Sequence, residues 1–150
     1  MANSYHSVLL HVVFSTKKRE PFLSPAIRER LFPYLGGIAR ENGMKTLAIG
    51  GVSDHIHLLL SMNRELSTAD ALRMIKGPSS KWIHETFPDL AKFSWQEGYG
   101  AFSIGVSQVD ATSHYILTQE DHHRRVSFQE EYLAFLKRHN LPYDERYIWG

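Results

Sequence analysis

Two histidines, His55 and His57, stand either side of one isoleucine in "SDHIHLLLSM", an apolar run suited to a buried strand. A strand alternates faces with period two, so His55, His57 and Leu59 share one side, and Ile56, Leu58 and Leu60 share the other. Two strand steps separate the imidazole stems by about 7 Å, and both rings can lean toward one ion between them, looking out into a cleft. About sixty residues later "YILTQEDHH" places Tyr115 and Gln119 one helical turn apart on one face, with His122 and His123 continuing near that stripe. A phenol can act as a covalent nucleophile, but with an ordinary pKa of about 10 it is weak at neutral pH. A divalent cation held by His55, His57 and Gln119 would polarise a phosphodiester and offset that weakness. His122 and His123 rival Gln119 as ligands, because imidazole binds transition metals better than an amide. Asp54 and a bound water are both candidates to take the phenolic proton.

These residues need elements to position them. "YHSVLLHVVFS" (Tyr5 to Ser15) reads as a buried strand followed by the basic turn "TKKREPF". Ser24 as N-cap, Pro25 at the first helical position and Gly43 as a stop frame a first helix, in which Pro33 and Gly36-Gly37 predict a kink or break. A hairpin follows from about Lys45 to Met62. Ser67 with Asp70 opens a second helical region, interrupted at Gly77-Pro78. A short strand is expected around Tyr99 to Val106. Ser107 with Asp110 opens a third helix that runs to His123, and Ser127 with Glu130 opens a fourth that stops near Asn140. The order is strand, helix, strand, strand, helix, strand, helix, helix. It predicts an α+β fold, a ferredoxin-like antiparallel sheet with helices on one face and an extra C-terminal helix, in one domain over residues 1–150.

Composition sets limits on the chemistry. Of 150 residues, 43% are hydrophobic and 22% charged, as in a globular domain. With no cysteine, thiolate metal sites and thiol nucleophiles are excluded. Apolar runs such as "VLLHVVF" fall far short of the roughly twenty residues that span a bilayer, no signal segment opens the chain, and a cytoplasmic location is expected. The net charge of +1 makes no global case for a polyanion. Basic residues do gather locally, at Lys17, Lys18 and Arg19 and again at Lys76 and Lys81, flanking Ser79 and Ser80. No GxxxxGK[ST] phosphate loop is present, so no nucleotide cofactor is expected.

"HIH" in a strand followed by "YILTQ" on a helix resembles the HUH superfamily, and more narrowly the small single-tyrosine transposases of minimal bacterial insertion sequences. The similarity extends through "FSTKKREPF", "LAIGGVSDHIHLLLS", "KGPSSKWI", "WQEGYGAFSIG" and the C-terminal "SFQEEYLAFLKRHNLPYDERYIW". It implies Tyr115 as nucleophile, with His55, His57 and Gln119 as ligands of Mg²⁺ or Mn²⁺. It also implies single-stranded DNA with hairpin ends as substrate, a 5′-phosphotyrosine intermediate and a homodimer. DNA contacts are expected from Lys17, Lys18, Arg19, Lys76, Ser79, Ser80 and Lys81, with Trp82 and Trp95 either stacking on bases or joining the core. A catalytically inactive hairpin-binding descendant and a metal-dependent phosphodiesterase that uses water are the competing readings.

Overall fold

The structure is a computed structural model that describes residues 3–149. Four strands, β1 (Leu9–Ser15), β2 (Lys45–Gly51), β3 (His55–Ser61) and β4 (Gly100–Ile104), form one antiparallel sheet in the order β2-β3-β1-β4. Helix α1 (Pro25–Glu41) joins β1 to β2, and α2 (Thr68–Thr86) joins β3 to β4. This is the ferredoxin-like α+β arrangement. It places β3 between β1 and β2, with His57 opposite Val13 on one side and Gly50 on the other.

Alternation along the strands creates two apolar faces. Leu10, Val12, Phe14, Ile56, Leu58 and Leu60 pack with residues of α1 and α2 in the main core. The opposite face carries His11, Val13, His55, His57, Leu59 and Phe102. It is covered by α3 (Val109–Leu117), α4 (Gln119–His122) and α5 (Phe128–Arg138) through two smaller apolar clusters. Helices therefore cover both faces rather than one. The C-terminal helix is a second layer over the histidine face, and His55 and His57 are fully buried beneath it instead of looking out into a cleft.

Neither of the two expected helix breaks occurs. Helix α1 runs unbroken through Pro33, and α2 through Gly77-Pro78. An internal proline costs about 3 kcal/mol. Leu31, Leu35, Ile38 and Ala39 on α1, and Ala71, Leu72, Ile75 and Ile83 on α2, are buried; at about 1.5–3 kcal/mol for each large apolar side chain, that burial outweighs the proline. The starts are as the caps predict: Ser24 Oγ accepts from Ile27 N, and Ser67 Oγ from Asp70 N.

The third helix is shorter than its sequence pattern. A 3₁₀ turn over Val106–Gln108 precedes α3, and Gln108 Oε1 accepts the Gly105 N–H at 2.8 Å, so Ser107 is not the cap. After Leu117 the chain turns at Thr118, whose hydroxyl donates to the His114 carbonyl at 2.8 Å. Gln119 Nε2 likewise donates to the Tyr115 carbonyl at 3.0 Å.

Helix α3 lies directly on β2. A Cβ built on Gly50 would fall 1.9 Å from the Ile116 carbonyl oxygen, so only glycine lets the helix backbone approach this closely. Gly50→Ala is expected to cost about 1–3 kcal/mol or more in urea unfolding by forcing α3 off the sheet. Gly77→Ala, on α2 with open space around it, should instead gain about 0.5–1 kcal/mol. Equal effects at the two glycines would contradict this packing.

Candidate active site

The β2–β3 hairpin positions the two strand histidines. Thr16 N bonds the Asp54 carbonyl, and Leu23 N bonds the Ser53 carbonyl, so the turn before β3 is anchored to the end of β1 and the segment leading to α1. Asp54 Oδ1 then lies 2.7 Å from His55 Nδ1. His57 Nδ1 lies 2.8 Å from Nε2 of His11, which projects from β1 on the same face. With both Nδ1 atoms engaged, the Nε2 atoms of the two rings are left to converge. Around His55 Nε2 stand Gln119 Oε1 at 3.4 Å and His123 Nε2 at 2.9 Å. Glu120, next to Gln119, pairs with Arg28 at 2.7 Å, and Arg28 also donates to the Leu23 carbonyl, which ties α4 to the start of α1.

Glu131, from α5, completes the cluster from above. Its Oε1 is 3.0 Å from His57 Nε2 and 3.5 Å from His55 Nε2. Its Oε2 is 3.1 Å from His122 Nε2 and 3.3 Å from His123 Nε2, and accepts a hydrogen bond from the Tyr115 hydroxyl. Although 96% of its surface is covered, as its 4% exposure shows, the carboxylate is held well below the usual range. Burial opposes its charge, but hydrogen bonds from His123, His55 and His57 outweigh that.

The histidines respond differently. Burial lowers His57 to about 4 and His11 to about 3, so both are neutral near pH 7. Burial also works against charge on His55, yet the carboxylates of Asp54 and Glu131 on its two nitrogens raise its pKa above the ordinary value. For Tyr115, burial and the Glu131 carboxylate both push the phenol upward, so it is held protonated. His122 Nε2 also lies 3.1 Å from its hydroxyl. Beside the phenol opens a cleft of about 540 Å³, whose lining includes Phe102, Thr112, Val126, Arg138 and His139.

The donor set suits a divalent ion. One donor atom each of His55, His57, His123 and Glu131 lie within 4.8 Å of one another. Small side-chain rotations would bring such atoms within ligating distance of one ion. Three imidazoles and a carboxylate favour Mn²⁺ or a later transition metal over Mg²⁺ in affinity.

The structure thus brings together His55, His57, Tyr115 and Gln119, with His122 and His123 beside them. Two participants escape the sequence reading. His11 sits in an apolar strand, and its signal is that it lies on the same strand face as the histidines of its neighbour. Glu131 interrupts the buried stripe Phe128, Tyr132, Phe135 and Leu136 of α5, where an acidic residue is out of place.

The basic candidates lie elsewhere and are partly committed. Lys17 and Lys18 are exposed in a 3₁₀ turn after β1, while Arg19 packs over the Trp149 ring at 5.7 Å. Lys76 Nζ donates to the carbonyls of Gln96 at 2.6 Å, Glu97 at 3.2 Å and Gly98 at 2.8 Å, so its ammonium clamps α2 to the loop before β4. The expectation that Ser79 faces DNA is corrected: it is fully buried, accepting from Trp95 Nε1 and donating to the Lys76 carbonyl. Ser80 is half-buried and Lys81 exposed. Trp95 is buried, and Trp82 stacks on Tyr34 with ring centroids 4.5 Å apart.

Comparison with known proteins gives consistent findings. The family model described as "Transposase IS200 like" matches residues 4–119. The ISDra2 transposase TnpA of Deinococcus radiodurans is 28% identical over 85 residues, 57% of this chain and 61% of that protein's length. The transposase for insertion sequence element IS200 of Salmonella typhimurium is 27% identical over 111 residues, covering 70% of this chain and 72% of that one. The chain thus matches less than two thirds of the ISDra2 protein's length. Among solved structures, a candidate transposase from Deinococcus radiodurans R1 shares the fold with a TM-score of 0.66 and 23% identity, over 77% of this chain and 93% of that one. A REP-associated tyrosine transposase bound to a REP hairpin shares it with a TM-score of 0.60 and 16% identity, over 84% and 74%.

Two outcomes follow from the geometry. A divalent ion bound at His55 Nε2 would displace the proton that Glu131 favours there. Mn²⁺ affinity measured by calorimetry should therefore weaken, by up to about tenfold per pH unit, as pH falls through and below the ordinary histidine range of about 6.5. An affinity flat across that range would refute the exchange. Replacing Lys76 by Met should cost about 1.5–3 kcal/mol of stability, whereas the same change at Lys81 should stay within about 0.5 kcal/mol.

Proposed function

Because this chain belongs to the IS200-like transposase family, we propose that it cuts single-stranded DNA at insertion-sequence ends and rejoins it through a 5′-phosphotyrosine on Tyr115, assisted by Mg²⁺ or Mn²⁺. The observation that carries this reading is the Tyr115 hydroxyl, which lies between the buried His55–His57 cluster and an open cleft. A phenol placed beside cation-ligating groups and reachable by a strand suits phosphoryl transfer.

His55, His57 and Gln119 would hold the ion, with His123 and Glu131 also in reach, while Asp54 and His11 fix the ring orientations. The bound ion supplies charge neutralisation at the phosphate. The Tyr115 oxygen bonds to phosphorus as the phenol passes its proton to Glu131 Oε2 or His122 Nε2, the two groups its hydroxyl touches. The P–O3′ bond breaks, and the departing 3′ oxygen is protonated to a free hydroxyl. Because the phosphotyrosine keeps the energy of the diester, a second 3′-hydroxyl can reverse the step on a new strand without ATP.

A hairpin-ended single strand is the proposed DNA partner; one structure that shares this fold holds a REP hairpin. Lys17, Lys18, Ser80 and Lys81 are the proposed phosphate contacts, since solvent reaches all four. The homodimer implied by the family resemblance is proposed as the working unit.

With labelled hairpin DNA and Mn²⁺, the protein should form a covalent adduct that maps to Tyr115 and disappears with chelator. Tyr115→Phe should lower cleavage on the order of a thousandfold or more and leave hairpin binding intact. Cleavage that persists in Tyr115→Phe without an adduct would identify a water-using phosphodiesterase instead.

A further inference from the structure

We infer that Glu131 joins the cation centre to the nucleophile: one carboxylate oxygen completes the donor set of His55 and His57, and the other holds the Tyr115 hydroxyl. This inference deepens the metal-assisted tyrosine reading and rests on it. It concerns a residue past the portion of the chain that the family model matches, which ends at residue 119.

The geometry separates the two oxygens. Oε1 faces the two strand histidines, at 3.0 Å from His57 Nε2 and 3.5 Å from His55 Nε2. Oε2 faces the helical groups, accepting from the Tyr115 hydroxyl and lying 3.1 Å from His122 Nε2. Gln119 reaches His55 through Oε1 while its Nε2 is occupied by the Tyr115 carbonyl. Glu131 thus touches both strand imidazoles and the phenol at once.

Donor chemistry points the same way. Mn²⁺ and Mg²⁺ take carboxylate oxygen in preference to neutral amide oxygen, and a six-coordinate ion leaves room for His55, His57, Gln119, Glu131 and substrate oxygens together. A carboxylate that bonds the ion through one oxygen and a hydroxyl through the other fixes the distance between them. The phenol oxygen is then held at the edge of the ion's coordination sphere, where the phosphate must also sit.

The support for Glu131 is rigid. Phe128, Tyr132, Phe135 and Leu136 anchor α5 on the sheet on both sides of it, and Trp149 packs against Phe128 and Tyr132 from the C-terminal segment. Glu130, one residue earlier, is exposed and engaged with its own N-cap Ser127, so it provides a matched control on the same helix.

The test uses the full chain with Glu131→Gln, Glu131→Asp and Glu130→Gln. Three readouts are needed: Mn²⁺ affinity by calorimetry, the visible spectrum of the Co²⁺-loaded protein, and single-turnover adduct formation at saturating Mn²⁺. Glu131→Gln should weaken Mn²⁺ binding about 10–100-fold, alter the Co²⁺ spectrum, and slow adduct formation even when the ion site is filled, with hairpin affinity unchanged. Glu131→Asp keeps the charge but retracts it by one methylene; it should bind Mn²⁺ more tightly than Gln does and still form adduct slowly. Should Gln prevent folding, the Asp variant decides the matter against the parent protein: weaker Mn²⁺ binding with slow adduct formation supports the role, and parent-like values for both overturn it. Glu130→Gln should match the parent protein in Mn²⁺ affinity and Co²⁺ spectrum.

Parent-like Mn²⁺ affinity and Co²⁺ spectrum in Glu131→Gln, with normal adduct in the parent, would overturn the role given to Glu131 and leave the tyrosine reading standing. Absence of a Tyr115 adduct in the parent protein would overturn the tyrosine reading itself, and with it the link from ion to nucleophile.

Discussion

A carboxylate buried under a helical layer loses its hydration, and stays charged only where donors replace that water. The Glu131 carboxylate meets this condition with four imidazoles and a phenol drawn from β3, α3, α4 and the turn after α4. An unpaired buried charge costs several kcal/mol, so any shift of α5 that withdraws the carboxylate strands either the charge or the histidines facing it. A one-residue slip would turn Glu131 by about 100° around the helix. The polar cluster thus sets the register of α5, while Phe128, Tyr132, Phe135 and Leu136 provide the apolar anchorage.

The sheet transmits that constraint to the rest of the fold. His55 and His57 lie on an inner strand, with β1 and β2 paired along both sides, so their backbone has no freedom to slide. Asp54 and His11 then decide which ring nitrogen points inward. Gly50 opposite His57 allows α3 to approach by backbone contact, which brings Tyr115 down to the level of the imidazoles. A bulkier strand surface would lift the phenol out of reach without altering any residue that does chemistry.

Several basic residues that look free in the sequence serve the architecture. Lys76 gives its ammonium to three backbone carbonyls, Arg28 bridges α1 to α4, and Arg19 covers Trp149. Charge near a site is therefore not by itself charge available to a polyanion. Of the basic residues singled out as DNA contacts, Lys17, Lys18 and Lys81 remain exposed.

Local patterns alone were enough to read the βαββαβ order, the caps at Ser24, Ser67 and Ser127, and the residue types at His55, His57, Tyr115 and Gln119. Each depends on neighbours within a turn or a hairpin, where chain connectivity dictates what meets what. The unbroken course of α1 and α2 through Pro33 and Pro78 was not legible, because a local cost of about 3 kcal/mol is decided by apolar burial against distant strands. The fold of the last third over the histidine face was equally out of reach. His11 and Glu131 acquire their meaning only when β1 lies beside β3 and α5 lies across both. Their partners are 46 and 74 residues away along the chain, so it is packing across the sheet, and no periodicity in the sequence, that makes a strand histidine and a misplaced acid into parts of one site.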